Sequence, residues 1–295
     1  VAGLDARLSG STQAGELRLE VGDRASPRAG RDETKPGPSR SGTSAPLRLD
    51  FGTLFETAMS FDTARGTVSW KRKAAPDGRV AMHLAARDME AGNADALAQF
   101  SGTWDRERAG PGVANFSGTL LRADATAVHR YLPTTIDAAT RHYLRDAIGA
   151  GDARNGRFTV KGDLAHFPFA NDQHGVFEIA APVTGGVFTF DSHWPRAEAI
   201  ATELVFRGSG MSGHVTSAAI GGIPIANTDV KIADMAATPA VLDIKGGANG
   251  ALDDFLRFVA TTPVNGWLDG FLGAAHGTGN ARLAMSLTMP LDDAT

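Results

Sequence analysis

The sequence predicts a mainly β protein of antiparallel strands with a few short helices. Three observations carry this. Apolar and polar residues alternate with period two in run after run, which gives each strand one apolar and one wet face. Glycine makes up 35 of the 295 residues, well above the usual share of about 7%, as many tight turns and bulges require. Segments with helical spacing are too few to alternate with strands as an α/β fold does.

The strands follow in order. The chain opens in alternation at Leu4-Asp5-Ala6-Arg7-Leu8, and Leu17, Leu19 and Val21 alternate with Arg18, Glu20 and Gly22. Residues 22–46 are rich in Pro, Gly, Ser and Arg, with too little apolar surface to offset the entropy of ordering. They read as a disordered insertion in a hairpin, because alternation resumes at Leu47, Leu49 and Phe51. Val68 and Trp70, then Val80, Met82 and Leu84, make two further strands. Shorter or more apolar runs lie at 158–161, 176–180, 187–190, 204–207, 230–232 and 241–244, and the last strand carries Leu283, Met285, Leu287 and Met289. Glycines such as Gly66, Gly102, Gly118, Gly156 and Gly162 read as brackets around strands.

The clearest helix is 135–149, with Ile136, Ala139, Tyr143, Leu144, Ala147 and Ile148 at helical spacing, Thr134 or Thr135 as its cap, and Gly149 and Gly151 as its stop. A second spans 251–261 and is stopped by Pro263, with Asp253 and Asp254 at its positive dipole end. Weaker helical patterns occur at 266–274, 121–132 and 92–99. The chain divides into a first strand array over 1–120, a helical insert over 121–152 and a second array over 153–295.

Composition removes several function classes. The absence of Cys excludes a disulfide scaffold, a thiolate metal site and a cysteine nucleophile. A net charge of −4 argues against a nucleic-acid partner, which a basic stripe would mark. None of the 8 histidines has H-x-x-x-H or H-E-x-x-H spacing, so no metal is expected. His83 and His214 read as strand-surface residues, and His193-Trp194-Pro195 as a packing and turn element. Ser209-Gly210-Met211-Ser212-Gly213 has the wrong register for a nucleophile elbow. Gly149-Ala150-Gly151 follows a helix and reads as its cap, not as a phosphate loop. No catalytic residue and no cofactor is expected. No run of apolar residues is long enough for a transmembrane helix, and both ends read as cut, as in an internal piece of a longer protein.

About a dozen one-sided strands need a cover for their apolar face. A sandwich or barrel would close on itself; a long curved sheet would leave an open groove. The pattern alone does not choose between them.

An ordered series of short motifs adds a resemblance. It runs Asn115-Phe116-Ser117-Gly118, Tyr131-Leu132-Pro133, Thr140-Arg141-His142-Tyr143-Leu144-Arg145-Asp146, Gly162-Asp163-Leu164, Phe167-Pro168-Phe169 and His193-Trp194-Pro195. It continues through Leu204-Val205-Phe206-Arg207-Gly208 and Gly246-Gly247-Ala248-Asn249-Gly250 to Phe255-Leu256-Arg257-Phe258-Val259 and Thr262-Pro263-Val264. This order resembles the YhdP family of AsmA-like envelope proteins over residues 100–295. It departs from the family at Tyr143, where a tryptophan is usual.

The resemblance implies a long curved antiparallel sheet forming a taco-like β-groove, continuous through both strand arrays. It implies a periplasmic segment of a protein anchored in the inner membrane of a Gram-negative bacterium. It further implies a non-enzymatic role in moving phospholipids between the inner and outer membranes, with acyl chains as the partner. Under that reading the groove is expected to be lined by Phe158, Val160, Phe188, Phe190, Leu204, Phe206, Leu242, Ile244, Leu283, Met285, Leu287 and Met289. The alternative is an envelope scaffold or assembly factor with a closed β-core.

Overall fold

The computed structural model describes residues 4–21, 47–50, 55–74, 80–107, 109–132, 134, 136, 138–170 and 173–291. The expected insertion at 22–46 lies outside them. The first strands are β1 (Leu4–Gly10), β2 (Ala14–Val21), β3 (Leu47–Leu49), β4 (Met59–Phe61), β5 (Thr63–Ala74), β6 (Val80–Gly92), β7 (Ala96–Arg106) and β8 (Val113–Asp124). They are followed by β9 (Ile148–Asp163), β10 (Gly175–Phe188), β11 (Ala197–Arg207), β12 (Gly210–Ile220), β13 (Ile223–Ile232), β14 (Val241–Ala251) and β15 (Asn280–Pro290). Thirteen of them form one sheet in the order of the chain, with β3 and β4 paired separately. Every pairing is antiparallel. β1 and β15 stand at opposite edges, so the sheet does not close into a barrel. It runs unbroken through both arrays.

Among the described residues the other sheet is the short β3–β4 pair, and the strands of the large sheet touch chiefly their hydrogen-bonded neighbours. Burial reflects that arrangement. Among the described residues, nine of the fourteen buried apolar residues are alanine and no large side chain is fully buried. Bulky side chains need a facing layer to disappear from solvent, whereas an alanine is covered by its strand neighbours.

The strands are bent by bulges. Asp88, Asn155, Ala199 and Asn227 take φ of 48°, 54°, 49° and 49° inside β6, β9, β11 and β13. The register shifts beside them, between Ala86 and Met89, Ala180 and Val183, Glu198 and Ala201, and Ala226 and Asp229. An extra residue on one strand bends it and sharpens its twist.

The helices lie at one end of the strands. α1 (Ala138–Ala147) follows a 3-10 turn over Ala125–Tyr131 and connects β8 to β9, while α2 (Leu252–Thr261) and α3 (Val264–Trp267) connect β14 to β15. Several expectations are corrected. α1 is shorter than 135–149 and passes straight into β9, because Ile148 pairs with Phe188; Gly149 and Gly151 are strand residues, not its cap. Residues 92–99 are the end of β6, a turn and the start of β7, not helix. The expected helix at 266–274 is reduced to the four residues of α3 followed by turns. The run at 176–180 and the first half of the run at 187–190 belong to one bulged strand, β10, which ends at Phe188. The glycines Gly66, Gly102, Gly118 and Gly156 lie within strands instead of bracketing them.

Candidate functional site

Directly opposed residues of an antiparallel pair point to the same face, so the register shows which side chains share a surface. One row passes from Phe100 through Gly118, Phe158, Ile179, Phe206, Met211, Ile232 and Leu242 to Met289, each the partner of the next. A second passes from Leu8 through Leu17, Val68, Ala86, Gly102, Phe116 and Val160 to Phe177. The two rows share a face, because Phe158 and Val160 are two apart on β9. The thirteen strands give this apolar face a contour of roughly 58 Å at the usual interstrand spacing of about 4.8 Å.

Ten of the twelve residues singled out in the sequence lie directly on this face. Phe158 and Val160 stand on β9, and Leu204 and Phe206 on β11. Leu242 and Ile244 on β14 oppose Met289 and Leu287, while Met285 and Leu283 of β15 oppose Gly246 and Ala248. Phe188 rejoins the face beyond the bulges, through its partner Ala197 and then Ile220 and Ile223. Phe190 lies past the end of β10, its ring 5.0 Å from that of Phe188. It belongs to the packing around α1, where Tyr143 lays its ring 6.2 Å from Phe188 and donates a hydrogen bond to the Phe190 carbonyl at 3.2 Å. Burial, and secondarily the charge of Asp191, holds the Tyr143 phenol above its ordinary pKa.

Sequence reasoning did not select Phe100, Phe116, Phe177, Ile179, Met211, Ile232, Leu84 or the two tryptophans of the face. Trp70 and Trp104 both stand level with Leu84. The alternation of Val68 with Trp70 was a usable signal. β7 and β12 gave none, because Gly102, Gly213 and small residues interrupt their pattern.

The opposite face is polar. Lys71, His83 and Asp105 share one row, as do Glu203, His214, Asp229 and Lys245. His83 Nδ1 meets Asp105 Oδ1 at 2.5 Å and His214 Nδ1 meets Asp229 Oδ1 at 2.7 Å. Both histidines are strand-surface residues, as their alternation suggests.

Aromatic loops close on the two ends of the strands. At the helical end, Trp194 packs 6.2 Å from Phe258 of α2 and 5.9 Å from Trp267 of α3, so His193-Trp194-Pro195 is a packing and turn element. At the other end Phe169, 2% exposed, covers Gly162 and Gly175, where an added Cβ would come within 3.0 and 2.7 Å of its ring. Phe167 bridges it to Phe177, with ring centroids 5.9 and 5.0 Å apart. These residues are the Phe-Pro-Phe and Trp-Pro motifs of the sequence, and their work is to shape strand ends.

Among the described residues no helix is long and apolar enough to cross a membrane. No curated protein and no solved structure matches the chain. A family model described as YhdP protein matches residues 43–295, which takes in β3 to β15 and every motif of the ordered series. Over that match, the chain belongs to the YhdP family.

Proposed function

We propose that this chain is a length of lipid-carrying groove in an envelope protein, and that phospholipid acyl chains lie along its apolar face. The observation that carries this reading is the apolar face of the open sheet: rows of Phe, Leu, Ile, Val and Met cross it, and among the described residues no large side chain of these rows is fully buried. Each CH₂ removed from water contributes about 0.8 kcal/mol, so a tail of roughly 16 carbons gains on the order of 10 kcal/mol without any specific polar contact. A surface of this kind needs neither a catalytic group nor a cofactor. The two-faced sheet lets tails rest on one side while Lys, Asp, Glu and His keep the other in water. Family membership supports the envelope setting; within it, movement of phospholipid between the inner and outer membranes is the role proposed. The alternative scaffold with a closed β-core finds no support in an open sheet.

The test is to place a photo-crosslinker in turn at Leu283 and Met285, which share the apolar face, and at Ala284 and Ser286, which face the other way. Lipid labelling confined to Leu283 and Met285 is expected. Equal labelling at both sets, or none, overturns the proposal.

A further inference from the structure

The apolar face carries one feature that burial of acyl chains does not require. Trp70, Leu84 and Trp104 are mutual partners across β5, β6 and β7, and one step further along the same strands and on the same face stand Arg72, Met82 and Arg106. Between the bulges and the hairpin end of the strands, Arg72 and Arg106 are the charged residues among the described positions of this face; the others are apolar, Gly or Thr. Both are exposed. Among the described residues neither guanidinium forms an ion pair with a carboxylate. The Arg106 guanidinium carbon lies 5.4 Å from the centroid of the Trp104 ring, a cation–π distance. Two strand spacings, about 10 Å, separate the backbones of the two arginines.

We infer that Arg72 and Arg106 form a phosphate-binding pair at the rim of the apolar face, specific for the phosphodiester of a phospholipid; this inference rests on the lipid-groove reading above. Along the strands the order is aliphatic and phenyl surface, then two indoles, then two guanidiniums. A phospholipid presents the matching order of acyl tail, glycerol ester and phosphate. Indoles favour the boundary between hydrocarbon and water, and here glycines make room for them. A Cβ at Gly112 would fall 2.7 Å from Trp104 Nε1, and Trp70 occupies the space above Gly15. Trp104 is fixed further by its Nε1–H, which donates to the Pro111 carbonyl at 2.8 Å. Two guanidiniums on the same face, flanking a flexible methionine, can meet one phosphate with paired N–H donors. A tail-free phosphate would have no use for the apolar rows and indoles that precede the arginines, so the lipid is the favoured source of the anion.

The experiment uses the full chain and three probes: dioleoyl-phosphatidylglycerol, dioleoylglycerol, which has tails and no phosphate, and glycerol 3-phosphate, which has phosphate and no tails. The Arg72→Gln, Arg106→Gln double variant is expected to bind dioleoyl-phosphatidylglycerol about tenfold or more weakly, the loss of charge-assisted hydrogen bonds, and to bind dioleoylglycerol unchanged. The Arg72→Lys, Arg106→Lys variant is expected to recover part of the loss, since a lysine keeps the charge without the bidentate fork. Unchanged phosphatidylglycerol binding overturns the arginine pair and leaves the groove standing. A parallel loss of both lipids also overturns it, because the arginines would then be supporting the sheet. Glycerol 3-phosphate binding as tightly as the lipid overturns the lipid assignment. If the unaltered chain binds neither lipid, the groove reading itself fails and the arginine site with it.

Discussion

Gly118 of β8 stands directly opposite Phe158 of β9, and the Phe158 ring occupies the space a side chain at Gly118 would need: an added Cβ would lie 2.8 Å from Phe158 Cε1 and 2.7 Å from Phe100 Cβ. Phe100 and Phe158, two strands apart, therefore meet over the glycine with ring centroids 6.4 Å apart. The glycine is an opening in the backbone layer that lets two large rings lie down on the sheet. Gly118→Val is expected to destabilise the chain by roughly 1–3 kcal/mol through overpacking, read as a lower urea midpoint. The same replacement at Gly110, where nothing lies within 4 Å but φ is +128°, separates the cost of backbone strain from that of crowding.

Ala199 holds φ at 49° inside β11, a conformation that costs a residue with a Cβ about 1 kcal/mol. Ala199→Gly is expected to leave stability unchanged or raise it by up to roughly 1 kcal/mol. Ala201→Gly, two residues along the same strand, is expected to lower it by roughly 0.5–1 kcal/mol. Thermal melts of the two variants compare them directly.

The raised pKa of Tyr143 gives a pH dependence with a definite sign. The folded chain favours the protonated phenol, so the contribution is fully present below the ordinary value of 10.0 and is lost as pH rises through the higher folded value. Tyr143→Phe removes the hydrogen bond to the Phe190 carbonyl, at a cost on the order of 1 kcal/mol, and is expected to flatten the alkaline part of the stability profile. Urea unfolding at a series of pH values above neutrality checks both effects.

Phe258 ties α2 to the body of the chain through Trp194, and an added Cβ at Gly221 would lie 3.3 Å from its ring. It is half-buried, so Phe258→Ala is expected to cost about 2 kcal/mol, less than the 3–5 kcal/mol of a fully buried phenylalanine. Hydrogen exchange should show the loss at the amides of α2 and leave those of β9 and β10 protected.

Within each strand the sequence determined which residues share a side, because the side-chain period of a strand is two. Leu283, Met285, Leu287 and Met289 could be assigned to one face without coordinates, as could Phe158 with Val160 and Leu204 with Phe206. The family was legible too, in the order of its aromatic, proline and glycine motifs. β7 and β12 were not, because the glycines that admit neighbouring rings also erase the alternation. Gly149 and Gly151 misled because a local cap signal is outweighed when Ile148 finds a partner in Phe188. Only the tertiary structure decided register, and register is a long-range property. It set Phe100, Phe158, Phe206 and Met289 in one row, carried Phe188 back to the same face past the bulges, and left the sheet open at β1 and β15. It also placed Arg72 and Arg106, 34 residues apart in the chain, either side of Met82, since pairing three strands joins side chains that no local pattern connects.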